Sequence, residues 1–418
     1  MSRRTRLLVA LALLALVAAG CAGSTPDSGE LVWASAGADA KPGGPTRDTV
    51  EMWNQLHPNG PRVRIEVLPE STDSQRQQMS LELDAQSPTF DILSLDVIWT
   101  GEFAENGWLE SLEDLRPQLE RVSLPRVFQS GTLGETLWVA PQSPSAAFLY
   151  YRTDLIDQPP RTWNELVRIG TEAGRRAGIA PFVGQGAQYE GMVVNFLELF
   201  WGAGGDLFNE VGTEVVFQEG PALQALNFMR TAQREGFYAP GFNTMKEEDA
   251  RNAFQSGNAV FMRDWPYAYS LMTGEEPANP SAVAGRFAVA PLPTFAGGVT
   301  VSALGGWNLG VSRFSDNVEA AKEFVLFAST NPDVQRNLGR RSLAPAMVSV
   351  YQDLADDPVM ALLGRVLPDA KPRPSTPDWS AISREIGRQV FAAYNGQRDP
   401  REAVAAIRAF LEATASES

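Results

Sequence analysis

Cysteine and histidine are nearly missing from this chain of 418 residues: each occurs once, as Cys21 and His57. A single thiol cannot form an intramolecular disulfide, so the fold must rest on its core rather than on cross-links. One histidine and one cysteine give a zinc site no ligand set and Cys-His chemistry no material. A Ser-His-Asp triad would rest on His57 alone, in Leu56-His57-Pro58-Asn59-Gly60, which reads as a helix end and a solvent-facing turn. No P-loop and no dinucleotide fingerprint occurs. No catalytic residue, metal or cofactor is expected. Beyond residue 19 no apolar run is long enough for a transmembrane helix.

The N-terminus is different. Ser2 to Arg6 holds three arginines, Leu7 to Ala19 is unbroken apolar sequence, and Ala18-Ala19-Gly20 supplies small residues just before Cys21. Basic, apolar and small-residue segments in that order make a secretory signal peptide over residues 1–20, too short to span a bilayer. A cysteine at the first mature position resembles a bacterial lipobox. Lipidation is therefore expected at Cys21, with residues 21–29 as a flexible spacer. The mature protein is expected on the extracellular face of the cell membrane, held there by lipid alone.

Basic residues are in deficit. Without residues 1–20 the chain keeps 32 basic against 50 acidic residues, a net charge of -18. Such a surface repels phosphate backbones, so nucleic acid is excluded as a partner. The full chain is 44% hydrophobic, so its mature part can bury a large core and divides into more than one domain.

Strand and helix signals alternate. Leu31-Val32-Trp33 predicts a strand, and Thr46 to Leu56 a helix with Val50 and Trp53 on one face. Val63, Ile65 and Val67 alternate with charged residues as in a half-buried strand. Gln75 to Gln86 predicts a helix and Phe90 to Leu95 a short buried strand. Thr162-Trp163-Asn164-Glu165 is a capping box opening a helix towards Gly178. Pro221 predicts a first helical position, with a stop near Gly236; Val318 to Ala328 predicts a helix capped by Ser315 or Asp316. This alternation argues for α/β layers with ligand sites where domains face each other.

Aromatic residues cluster with turn formers in Asp96-Val97-Ile98-Trp99, Asp264-Trp265-Pro266-Tyr267 and Gly305-Gly306-Trp307-Asn308. Proline and glycine set these indoles on irregular backbone, where binding residues concentrate. An indole face matches the C–H face of a pyranose ring, and carboxylates and guanidinium groups bond its hydroxyls. The alternative for each tryptophan is a core position.

On these motifs, and on Phe148-Leu149-Tyr150-Tyr151-Arg152, Gln188-Tyr189-Glu190-Gly191, Val289-Ala290-Pro291-Leu292-Pro293 and Pro372-Arg373-Pro374, the chain resembles the extracellular solute-binding proteins of ABC sugar importers, the trehalose/maltose-binding group above all. The resemblance runs through nearly the whole mature chain. It implies a two-lobed α/β fold with a hinge, lobe 1 being residues 30–141 and 292–340 and lobe 2 residues 142–291 and 341–418. It implies Asp96 as an acceptor of hydroxyl protons, Trp265, Tyr267, Gly306 and Trp307 as an aromatic wall, and Arg373 as a fork of donors reaching the ligand. Glu247 occupies a ligand-facing place in some relatives; a solvated helix start is the other reading. Ser145 stands where trehalose binders carry aspartate or asparagine, and Gln78 lies where archaeal-type relatives carry arginine. The implied function is capture of a disaccharide, trehalose first and maltose or sucrose next, by a monomeric receptor that delivers it to permease subunits with their ATPase. The alternatives are a secreted glycoside hydrolase, which needs a pair of carboxylates across the scissile bond, and a surface adhesin for glycans.

Overall fold

A computed structural model describes residues 29–417 apart from 37–39, 41–42, 70, 210–213 and 275–279. The expected signal peptide, Cys21 and all of the spacer but Gly29 lie outside the described residues. Twelve strands occur among those described: β1 Glu30–Ala36, β2 Arg62–Leu68, β3 Ile92–Asp96, β4 Thr132–Leu133, β5 Thr136–Leu137, β6 Val139–Ala146, β7 Phe148–Arg152, β8 Ala180–Val183, β9 Ala259–Asp264, β10 Phe287–Ala290, β11 Ala303–Val311 and β12 Lys371–Pro372.

Two sheets organise the chain. The first runs β2-β1-β3-β11, with β6 on the other side of β11 and β12 pairing with the start of β11. β1 is parallel to β2 and β3, and parallel neighbours need crossovers. The helices Pro45–Leu56 and Thr72–Asp84 supply them. β11 returns antiparallel to both β3 and β6. Trp33, Trp53 and Phe324 fill one face of this sheet, and Met79, Phe90 and Phe103 the other. Burying each such side chain contributes about 1.5–3 kcal/mol. The second sheet, β10-β7-β9-β8, is covered by the helices Trp163–Ala177, Glu190–Gly202, Glu219–Arg234 and Trp379–Tyr394.

Local chemistry explains most element ends. Thr162 Oγ1 accepts from the Glu165 N–H at 3.2 Å, the Glu165 carboxylate accepts from the Thr162 N–H at 3.2 Å, and Gly178 at φ +71° closes the helix. Other expectations shift. Pro221 is third in the helix Glu219–Arg234, and Asn317 rather than Ser315 or Asp316 precedes the helix Val318–Thr330. In β2 the alternation fails at its end, where Val67 is 52% exposed and Leu68 turns inward. β2 is the edge strand, with a neighbour on one side only. His57 is half-buried rather than solvent-facing, its ring stacked on Trp53 at 3.7 Å.

The chain first passes between the sheets over a single residue. β6 stays paired with β11 as far as Ala146, and Ala147 alone separates it from β7. The first change of unit, expected between Pro141 and Ala147 with the lobe bound drawn at 141/142, thus lies at the far end of that span, because β6 stays paired to β11 through Ala146. On the return, Leu292 and Phe295 still pack in the second core, so the first sheet resumes only at β11.

Candidate functional site

The site forms where β3 ends beside the middle of β11. Trp307 pairs with Asp96 on β3 and with Ser143 on β6. Gly306 has φ +106°, and a Cβ there would stand 2.2 Å from the Ser143 carbonyl oxygen. Only glycine fits that approach. The β6 register slips between Trp307 and Asn308, a bulge that re-aims the side chain. Trp307 is left half-buried, its indole edge-on to Trp99 at 6.1 Å. Trp99 itself is core, at 3% exposure. A cavity beside Trp307, lined by Ser35, Thr46, Ser94, Gln142 and Ser143, measures ≈ 20 Å³. That is room for about one water, too small for a sugar ring.

Ser145 is half-buried and pairs with Gly305. The indole of Trp265, which follows β9 of the second sheet, covers that glycine: a Cβ at Gly305 would stand 2.9 Å from the ring. The Arg263 guanidinium stacks on the Trp265 indole at 4.4 Å, a cation–π contact. Arg263 also pairs with Glu198 at 2.7 and 3.0 Å, both side chains being 3% exposed.

Glu247 opens the helix Glu247–Gln255 and is half-buried. A Cβ on Gly191 would stand 3.0 Å from Glu247 Oε1 and 2.3 Å from the Tyr189 hydroxyl, so this glycine makes the space into which both turn. Tyr267 is half-buried, and its hydroxyl donates to Glu248 at 2.8 Å. Asp264, fully buried, accepts from the Trp265 N–H at 2.8 Å and from Gln185 at 3.2 Å.

Arg373, expected to reach the ligand, is held here by groups of the protein. Its side chain is 2% exposed and its fork is turned to two carboxylates, Glu190 at 2.7 Å and Asp96 at 3.3 Å. Glu190 also accepts from Trp379 Nε1 at 3.2 Å and from the Ser383 hydroxyl. Burial opposes the Arg373 charge, and Asp96 and Glu190 more than offset it, so its pKa rises. Burial raises the Asp96 pKa against the pull of Arg373, with Glu190 and Glu247 adding to the rise. These interactions place Asp96, Glu190, Glu247 and Arg373 within one electrostatic neighbourhood.

The structure therefore gathers Asp96, Ser145, Glu247, Trp265, Gly306, Trp307 and Arg373, with Tyr267 joined through Glu248. Gln78, half-buried on the helix Thr72–Asp84, makes no hydrogen bond to any of them among the described residues. Glu190 and Asp264 were not singled out from sequence. Both lie inside quoted motifs, one residue from an aromatic side chain, and that adjacency was the available signal. Carboxylate acceptors beside half-exposed indoles can hold a polyhydroxylated ring. Among the described residues no group of three His, Cys, Asp or Glu is disposed to hold a metal.

Two sheet-cored units with acceptors drawn from both define a two-lobed α/β binding protein. Residues 24–335 match the family of bacterial extracellular solute-binding proteins, and the chain belongs to it. A probable ABC transporter-binding protein of Deinococcus radiodurans is 30% identical over 370 residues, 84% of this chain and 86% of that protein. A mannitol-binding protein of Pseudomonas aeruginosa is 26% identical over 373 residues, covering 80% and 82%. The structure of maltose-bound MalE3 of T. maritima matches with TM-score 0.84 at 35% identity, over 92% of this chain and 99% of that one. The fold is thus the two-lobed periplasmic-binding-protein fold, and the family is one of binding proteins, not enzymes.

Proposed function

We propose that this protein is the receptor of an ABC sugar importer, capturing a disaccharide between its lobes and delivering it to the membrane permease. The observation that carries this reading is the pair of half-exposed indoles, Trp265 and Trp307, set against Asp96 at the end of first-sheet β3 and Glu247 at the start of a helix packed on the second sheet. Stacking a sugar face on an indole removes apolar area from water, and some ~100 Å² at ~25 cal/mol per Å² gives roughly 2–3 kcal/mol. Hydroxyl hydrogen bonds add less net energy each but discriminate by their absence. The maltose bound to the T. maritima relative and the mannitol named for the Pseudomonas aeruginosa protein are consistent with a polyhydroxylated ligand. Trehalose is the first candidate, on the resemblance of the motifs, and Ser145 is the position where its preference over maltose is set. Gln78 belongs to the same proposed set of ligand contacts. The lobes, one built on the sheet that holds β3, β6 and β11 and the other on the sheet β10-β7-β9-β8, close about their crossings. Lipid on Cys21 holds the receptor at the extracellular face of the membrane.

A ligand that binds only the folded state raises apparent stability with its concentration. A thermal-shift screen with trehalose, maltose, sucrose and mannitol is expected to return a concentration-dependent rise for at least one disaccharide. No rise with any of them would overturn the reading. Release of monosaccharide during the incubation would turn it towards a glycoside hydrolase.

A further inference from the structure

Asp264 ends β9 with no solvent exposure. Its Oδ1 accepts two donors, the Trp265 N–H and Gln185 Nε2, while Oδ2 is equally buried and meets no donor. A buried carboxylate oxygen left without a donor costs far more when it is charged than when the carboxyl is neutral. The surrounding charges favour the neutral form. Glu247 and Glu248 face Asp264 from the helix Glu247–Gln255, and Arg251 on that helix is paired with Glu248. Arg263, on the same strand as Asp264, is paired with Glu198. The remaining neighbours, Tyr150 on β7, Tyr189 and Tyr267, are phenols whose pKa values burial and these carboxylates push up, so they stay neutral. Arg263 still draws Asp264 towards ionisation, but both Arg251 and Arg263 are paired with another carboxylate, and burial with Glu247 outweighs that pull.

We propose that Asp264 is a positioning residue of the site, standing as a neutral carboxyl that lets Glu247 and the Trp265 turn sit side by side. Ionisation would set a second negative charge against Glu247 inside the turn that carries the Trp265 indole. Burial, with Glu247 next, holds the Asp264 pKa well above the usual carboxylate range, which agrees with the geometry. The sign for stability follows. The folded state keeps a proton that the unfolded chain has lost, so this contribution is full below the unfolded value of 3.8 and is lost as pH rises through the folded value.

Asp264→Asn keeps the shape and the Oδ1 acceptor and cannot ionise. In infrared spectra of the ligand-free protein at about pH 7, the wild type minus Asp264→Asn difference should carry a protonated-carboxyl band; documented buried carboxyls titrate as high as about 8–9. An ionised-carboxylate band in its place overturns the proposal. The melting temperature of Asp264→Asn should gain on wild type as pH rises, and a constant offset overturns it as well. If Asp264→Asn does not fold, Glu247→Gln decides, because removing that charge should move the protonated-carboxyl band to a lower titration; an unchanged titration counts against the proposal. One arm rests on the sugar-receptor reading. Maltose affinity should fall several-fold towards alkaline pH in wild type and stay flat in Asp264→Asn, and matching profiles would refute the coupling to the site. A wild type that binds neither maltose nor trehalose counts against the receptor reading, and the infrared result stands by itself.

Discussion

Arg263 and Arg373 are removed from solvent to nearly the same degree, at 3% and 2% side-chain exposure, and each holds a carboxylate at 2.7 Å. Their partners come from different places. Arg263 on β9 holds Glu198 of the helix Glu190–Gly202, which packs in the second core, so both charges of that pair belong to one unit, and only the backbone N–H of Ala303 at the start of β11 reaches Glu198 from the first sheet, at 3.1 Å. Arg373 lies between Asp96 at the end of β3 in the first sheet and Glu190 at the start of the same second-unit helix. A bond closed inside one unit fixes that unit. A bond shared between two units must change when they move apart. Burial alone does not separate a structural guanidinium from one that reports on lobe position; the origin of its partners does.

The comparison breaks most sharply at Arg263. Arg263→Met should leave the Glu198 carboxylate buried and unpaired, at a cost of about 3–5 kcal/mol. Denaturant unfolding measures it. A loss below about 1 kcal/mol would mean that this pair is no more structural than an exposed one.

Arg373→Lys comes next. An ammonium cannot reproduce the planar fork that reaches two carboxylates at once. The expected stability loss is smaller, about 1–3 kcal/mol, because a cation remains near one of the two carboxylates. The larger effect should be on lobe position: by small-angle scattering, the ligand-free variant should have a larger radius of gyration than wild type. An unchanged radius with a loss as large as that of Arg263→Met would place Arg373 in the same class as Arg263.

The sequence made the architecture legible and the site only in part, for a physical reason. Strand and helix periodicity is local, so Leu31-Val32-Trp33, the capping box at Thr162 and the glycine stop at Gly178 could be read directly. The paired glycines before Trp307 were read as irregular backbone; they lie inside β11, where Gly306 takes φ +106° and the pairing to β6 slips after Trp307. Arg373 was legible as a residue and not as a geometry. Its partners Asp96 and Glu190 are 277 and 183 positions away, and no local pattern encodes such a meeting. The same holds for Asp264, which looks in sequence like one more surface carboxylate and is in fact without exposure. Gln78 was named from the likeness alone, and the helix that carries it gives no hydrogen bond to the other residues among those described.

The smallest expected effect tests the comparison where a second bond spans the units. Glu102 accepts from Arg76 at 2.6 Å within the first unit and from the Ser380 hydroxyl at 2.9 Å, on the helix Trp379–Tyr394 of the second. Ser380→Ala removes only the cross-unit member and leaves the ion pair whole. A neutral donor on a carboxylate contributes about 0.5–1.5 kcal/mol net, and partial exposure keeps this one at the lower end. If the sugar-bound state keeps this contact, its loss shifts the lobes towards separation and weakens sugar affinity by at most about tenfold, since 1.4 kcal/mol is a factor of ten. Unfolding free energy should change less than affinity does, because the bond stabilises the ligand-free protein only in proportion to how often its units stand together. Calorimetric titration and denaturant unfolding of the same preparation compare the two. Equal losses in both would show that the Glu102 link behaves like Arg263, a fixed strut, and that Arg373 rather than this link senses how the units are placed.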